Sequence, residues 1–166
     1  MIKYLKLLRV EQWIKNFFVF VPLFFSGNIT NFDLFGKSIF AFIIFSLAAS
    51  SIYIINDYSD IESDRKHPEK RRRPLASGAI SKRTALIVLV ALISLSIALI
   101  YFGAQYFHHN FWKFATIIAF YFFMNLAYTF KLKHVAIIDV SIISLGFVLR
   151  VLAGGYATGI FISQWA

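Results

Sequence analysis

The sequence predicts an all-α integral membrane protein, a bundle of several helical spans, and three observations carry that reading. Of the 166 residues, 59% are hydrophobic and only 15% are charged, against about half and about a quarter in an ordinary soluble domain. Twenty Phe, eight Tyr and three Trp present more aromatic surface than a core of this size can enclose. The apolar residues also come in blocks approaching the roughly 20 residues needed to cross a bilayer. Lipid must be the solvent for much of this surface.

Taken in order, the blocks predict five spans. Asn16 to Phe32 is uncharged but short and contains Pro22 and Gly27, which predicts a tilted or kinked first span reaching back to Val10, Trp13 and Ile14. Ser38 to Ile55 is the second. The third starts after Arg83 and runs to about Tyr106. Phe114 to Phe130 makes the fourth, with Asn125 inside it, and Val135 to about Ile162 the fifth, interrupted by Asp139 and Arg150. The blocks differ from one another, with no repeat and no low-complexity linker. Residues 1–166 therefore read as one transmembrane domain, and the stop at Gln164-Trp165-Ala166, just past the fifth span, reads as a truncation.

Charge sets the orientation. The N-terminus to Lys15 carries four Lys or Arg, the segment from Asp57 to Arg83 carries eight, and the turn after Phe130 carries Lys131 and Lys133. With five alternating spans all fourteen fall on one side, against Lys37 and Lys113 on the other. The positive-inside rule then puts the N-terminus and both polar loops in the cytoplasm, in a cell (inner) membrane. Lys3, Lys6 and Arg9 before an apolar run also fit a signal peptide. No small-x-small cleavage site follows Phe24-Phe25, however, and further spans come later. The net charge of +9 lies between apolar blocks rather than in a solvated face or tail, so it points to a membrane surface or phosphate-bearing ligands and not to nucleic acid. With no cysteine, disulfides and thiolate chemistry are excluded.

The most informative stretch is Asn56-Asp57-Tyr58-Ser59-Asp60-Ile61-Glu62-Ser63-Asp64, an NDxxDxxxD pattern directly after the second span. As a continuing helix it puts Asp57, Asp60 and Asp64 at steps of three and four on one face, with Asn56 at its border. Stacked carboxylates repel unless a cation sits among them. Oxygen-only ligands favour a hard ion, and Mg²⁺ takes one or two carboxylates and completes its shell with water and substrate phosphates. The alternative is a solvated acidic helix end balanced by the basic run that follows.

That run, DRKHPEKRRRPLASG from Asp64 to Gly78, is broken by Pro68 and Pro74 into a loop or short helix. Some of its cations anchor the chain to anionic lipid. Lys70 and one or two of Arg71 to Arg73, with Arg72 and Arg73 the candidates carried forward, are expected to contact substrate, because guanidinium recognises phosphate bidentately. His67 could be a general base, but a loop His before Pro is more often structural.

A second polar site closes the fourth span at Tyr128, Lys131 and Lys133, with Asp139 opening the fifth. A lone carboxylate there is costly, and a functional role is the default reading. Arg150 lies eleven residues on, within about 20° of the same face but about 16 Å along the axis, so the two cannot pair directly. A partner on another helix is the competing reading for Arg150.

The acidic run and its basic loop resemble the first aspartate-rich motif of the UbiA prenyltransferase superfamily, and Asp139 after Tyr128, Lys131 and Lys133 resembles the second. The opening Gln12-Trp13-Ile14-Lys15-Asn16 with Val19-Phe20-Val21-Pro22-Leu23, the loop DRKHPEKRRRPLASG, the turn LKHVAIIDV and the span GFVLRVLAGG are similar to one branch, the decaprenyl-phosphate phosphoribosyltransferases. The resemblance covers essentially the whole chain. It implies about five of the nine transmembrane helices of that fold around a central cavity. It further implies an Mg²⁺-dependent transferase with Asp57, Asp60, Asp64 and Asp139 as catalytic and metal-holding residues. Lys15, Asn16, Asn56, Lys70, Arg72, Arg73, Tyr128, Lys131, Lys133 and Arg150 are the implied substrate contacts. The implied partners are an isoprenoid lipid substrate, a diphosphate donor and the bilayer. In this branch the ribosyl C1 of 5-phosphoribosyl diphosphate passes to a polyprenyl phosphate, a precursor step in cell-wall biogenesis. The rival within the superfamily is transfer of an isoprenoid from prenyl diphosphate to an aromatic acceptor, which needs fewer cations. A rival of another class is an inactive membrane fragment or assembly partner.

Overall fold

In the computed structural model, which describes residues 2–107, 111–132 and 136–162, every regular element is helical. In chain order these are α1 (Ile2–Leu8), a 3₁₀ helix (Val10–Phe20), α2 (Val21–Phe25), α3 (Phe32–Ser59), α4 (Ile61–Lys66), a 3₁₀ turn (Lys70–Arg72), α5 (Lys82–Tyr106), α6 (Phe111–Ala127) continued by a π turn (Tyr128–Leu132), and α7 (Ala136–Thr158). Local chemistry sets the starts of the two long helices. The Asn31 side chain accepts from the backbone N–H groups of Asp33 and Leu34 at the start of α3, and the Ser81 hydroxyl accepts from Thr84 N–H at the start of α5, both satisfying donors that a helix leaves orphaned.

Four helices are long and apolar enough to cross a membrane: Phe32–Ser59, Lys82–Tyr106, Phe111–Phe130 and Ile138–Thr158. These correspond to the second to fifth expected spans. The expected first span, Asn16 to Phe32, is not one helix. Its residues are shared between the 3₁₀ helix, α2 and the turns before Asn31. It nevertheless runs the length of α3 in the opposite direction. Arg9 meets Asp57, Trp13 meets Ser50, Asn16 meets Ser46, and the Phe20 ring lies 6.0 Å from that of Phe35. At about 2.0 Å per residue a 3₁₀ helix covers more distance than an α-helix of equal length, so a short segment spans a long one.

The main core joins this segment to α3, α6 and α7 through Val19, Ile44, Phe45, Phe111, Phe114, Leu149 and Ala153. A β-carbon at Gly154 would lie 1.9 Å from the Val19 carbonyl oxygen, so α7 and the 3₁₀ helix touch backbone to backbone, as small residues permit between membrane helices. A second cluster, Leu7, Ile54, Ile61, Leu75, Ile80 and Ala85, packs beneath the loop at the Asp57 end. On α5, Ile87, Val90, Ile97 and Tyr101 point outward with more than half their surface exposed. A continuous apolar face of that kind fits lipid rather than water.

Candidate functional site

Asp57 lies in the last full turn of α3, and its carboxylate is the centre of the site. It is 2% exposed and Asp64 3%. The Arg9 guanidinium donates through Nη2 to Asp57 Oδ1 at 2.5 Å. Nη1 of Arg73 reaches the same oxygen at 3.2 Å and Oδ2 of Asp64 at 2.7 Å. Two buried carboxylates are therefore matched by two guanidiniums.

The expected continuous helix breaks at Asp60. Residue 60 caps α3, its N–H donating to the Asn56 carbonyl, and α4 starts at Ile61. Its own carbonyl accepts from the Asp64 N–H and the Ser63 hydroxyl. The break turns Asp64 so that it shares Arg73 with Asp57. Among the described residues no three Asp, Glu, His or Cys side chains converge as a metal-binding group. The pair Asp57 and Asp64 is what converges, and it fits the one or two carboxylates that Mg²⁺ takes from a protein. A single cationic nitrogen already bridges the two carboxylates, which shows that one positive centre can serve both.

Beyond the arginines opens a cavity of about 360 Å³. Lys6, Arg9, Lys70, Arg72 and Arg73 contribute five cations to its wall, against the carboxylates of Asp57, Glu11 and Glu69. The Lys70–Arg72 turn presents these side chains because Pro68 and Pro74 forbid a helix through the loop. Arg73 follows in extended conformation. Nδ1 of His67 accepts from the backbone N–H groups of Glu69 and Lys70, which is the structural role for that histidine. Asn56 is half-buried at the edge of the site.

A second cavity, about 260 Å³, is walled by Lys15, Tyr53, Tyr121, Tyr128, Asp139 and Arg150, among others. Asp139 accepts from the Tyr128 hydroxyl at 2.7 Å. Arg150, 5% exposed, donates to Asn16 Oδ1, the Gly146 carbonyl and the Tyr121 hydroxyl, and Asn16 donates on to Ser46. The rings of Phe45, Tyr121 and Phe147 surround its guanidinium at 5.0 to 5.5 Å. Arg150 thus has the partners on other elements that the competing reading required, while also lining a cavity. It does not meet Asp139. The two cavities adjoin at Tyr53, which lines the second and stacks its ring against the Arg9 guanidinium at 4.9 Å. Lys133 and the Lys131 side chain lie outside the described residues.

Sequence reasoning missed Arg9, Lys6, Tyr53 and Tyr121. Arg9 reads as one of several N-terminal cations. A weak signal was its position six residues before the Lys15-Asn16 pair, at the start of the segment that pairs with α3. Its left-handed backbone, φ 49°, is invisible in sequence.

Residues 17–166 match the UbiA prenyltransferase family. The chain belongs to that family. It is 40% identical over 164 residues to a decaprenyl-phosphate phosphoribosyltransferase of Mycobacterium tuberculosis, covering 96% of this chain and 52% of the relative. To the protein of the same name from Mycolicibacterium smegmatis it is 42% identical over 170 residues, covering 97% and 50%. The chain thus spans about half the length of the curated relatives it matches. Among solved structures it resembles a UbiA homologue from Archaeoglobus fulgidus, determined with GPP and Mg²⁺ bound, at a TM-score of 0.72 and 24% identity over 98% of this chain and 56% of that one. That likeness concerns the fold. As a UbiA family member with four helices long and apolar enough to cross a membrane, the chain is a multi-pass membrane protein.

Proposed function

We propose that this chain forms about half of a membrane phosphoribosyltransferase and carries its donor-binding site. The enzyme would pass the 5-phosphoribosyl group from its diphosphate to a polyprenyl phosphate at the cytoplasmic face of the cell membrane. The observation that carries the reading is the pocket lined by five Lys and Arg side chains and the buried Asp57, with Arg73 of that lining also holding the buried Asp64. A phosphoribosyl diphosphate plus a lipid phosphate presents more anionic groups than a prenyl diphosphate plus an aromatic ring, and the cation count suits the former. The relatives' names support the same substrates.

In this reaction the bond between ribosyl C1 and the diphosphate oxygen breaks, and a bond from C1 to the lipid phosphate oxygen forms. Asp57 and Asp64 would hold Mg²⁺, with Asp60 and Asp139 the further carboxylates assigned to metal and diphosphate; bound Mg²⁺ neutralises charge gathering on the departing diphosphate. Lys70, Arg72 and Arg73 bind and orient phosphate oxygens. Lys15, Tyr128 and Arg150, in the second cavity, position the second substrate, with Asn16 holding Arg150 from behind, and the apolar helix faces take the isoprenoid tail. Lys131, Lys133 and Asn56 complete the assigned contacts.

The test uses membranes carrying the whole enzyme of which this chain forms half, with ribose-labelled 5-phosphoribosyl diphosphate. Label should enter a lipid-extractable product only with Mg²⁺ and added polyprenyl phosphate. Arg72 and Arg73 changed together to Gln should raise KM for the donor more than they lower kcat, as loss of a ground-state clamp does. Transfer from a prenyl diphosphate to an aromatic acid, with none from the ribosyl donor, refutes the assignment.

A further inference from the structure

We propose that Arg9 and Arg73 form a guanidinium latch on the cation site, neutralising Asp57 and Asp64 until a cation arrives together with a diphosphate that can take the arginines over. The inference rests on the metal reading of Asp57 and Asp64 given above.

Three features point to a latch rather than a permanent salt bridge. First, the charges balance without a metal. Asp57 Oδ1 accepts from both guanidiniums, at 2.5 and 3.2 Å, and Arg73 spans to Asp64 at 2.7 Å. A divalent cation entering alone would add its charge to a neutral cluster and meet two guanidiniums at the oxygens it needs. Second, the layers are ordered. The arginine side chains are 20% and 25% exposed while the carboxylates are nearly sealed, and both arginines line the cationic pocket. Both guanidiniums reach the pocket beside the nearly sealed Asp57, and Asp64 lies outside its lining, held by Arg73, so a phosphate placed in the pocket meets exposed guanidinium nitrogens. Third, Arg9 is held in a left-handed backbone, the only such non-glycine among the described residues, a conformation that its β-carbon disfavours. Such strain collects where a side chain must be aimed.

Exchange follows from the charges alone. Diphosphate oxygens offer the guanidiniums replacement acceptors, and the freed carboxylates accept the cation. Each ligand then raises the other's affinity by the same factor, as linkage requires. The cation alone should bind poorly.

The experiment measures Mn²⁺ on the protein in lipid nanodiscs, by its electron paramagnetic resonance signal, with and without inorganic diphosphate. Arg73→Gln should tighten Mn²⁺ binding in the absence of diphosphate by on the order of tenfold, since ion pairs in a partly dry site exceed the exposed-pair median. It should weaken capture of labelled diphosphate at saturating Mn²⁺. Lys70→Gln removes one charge from the same pocket without touching either carboxylate, and should weaken diphosphate capture while leaving binding of Mn²⁺ alone within about twofold. Arg9→Gln leaves Arg73 on both carboxylates and should shift Mn²⁺ in the same direction by less, so the measurement survives if Arg73→Gln does not fold. Mn²⁺ binding that is unchanged or weaker in the arginine variants overturns the latch alone, provided the wild type retains Mn²⁺ with diphosphate. If no protein retains Mn²⁺ under either condition, the metal reading falls and the latch with it.

Discussion

Gly154→Ala isolates the contact that ties the first segment to α7. The added methyl would sit 1.9 Å from the Val19 carbonyl oxygen and 2.8 Å from its carbon. An ordinary carbon–oxygen contact lies near ~3.3 Å, so the two elements must part by about 1.4 Å, and the obstacle is backbone that no rotamer change removes. The same interface carries the hydrogen bond from Arg150 to Asn16 at 2.8 Å, which that separation would break. Overpacking of about 1–3 kcal/mol and a charged hydrogen bond of about 1.5–3 kcal/mol together predict a loss of roughly 3–5 kcal/mol. At about 2–4 °C per kcal/mol for a chain of this length, the unfolding midpoint in detergent should fall by roughly 10 °C. Gly36→Ala is the opposite control: it sits in α3 with nothing within 4 Å of the added carbon, and should gain up to about 1 kcal/mol of helix propensity. Wild-type stability in Gly154→Ala, or a change equal to that of Gly36→Ala, would refute the reasoning.

Asp57→Asn and Asp64→Asn should each reduce ribosyl transfer by orders of magnitude while folded protein persists, because each removes charge from the proposed metal–diphosphate site; near-normal turnover in both would leave the acidic pair a structural feature. Arg73→Met strands the buried carboxylate of Asp64, while Asp57 keeps Arg9, and should cost about 3–5 kcal/mol. Arg150→Met strands no acid among the described residues, only hydrogen-bond acceptors, at about 1–3 kcal/mol; thermal midpoints in the reverse order would contradict this. Because the chain has no cysteine, Ser63→Cys and Asn28→Cys can be labelled individually in sealed vesicles, and they should react from opposite sides, Ser63→Cys from the cytoplasm.

The membrane character, the second to fifth spans and the family were legible because each rests on a local or additive property. Mean apolar content and block length report on the solvent that a helix requires, and they hold wherever the helix packs. The NDxxDxxxD run and its Pro-broken basic loop are contiguous, so their residue types and spacing indicate the chemistry before any fold is known. Alternation and charge also set the first segment's direction, opposite to the second span, whereas its packing along that span is a finding of the structure. What failed were statements about conformation within a segment. The expected tilted or kinked span over Asn16 to Phe32 is a 3₁₀ helix, a short α-helix and turns rather than one helix, and the acidic helix breaks at Asp60.

The sequence alone determined that this is a lipid-embedded helical protein whose polar residues gather after the second span and where the fourth span closes, and it put Asp57, Asp64 and Arg73 among the candidates. Only the tertiary structure decided who neutralises them. Arg9 is 48 residues from Asp57 and Asn16 is 134 from Arg150. No periodicity spans such distances. Their pairing depends on how closely backbones approach at Gly154 and on where a helix breaks. Charge type is carried by each residue separately, whereas the partner of a buried charge is set by the packing of the whole bundle.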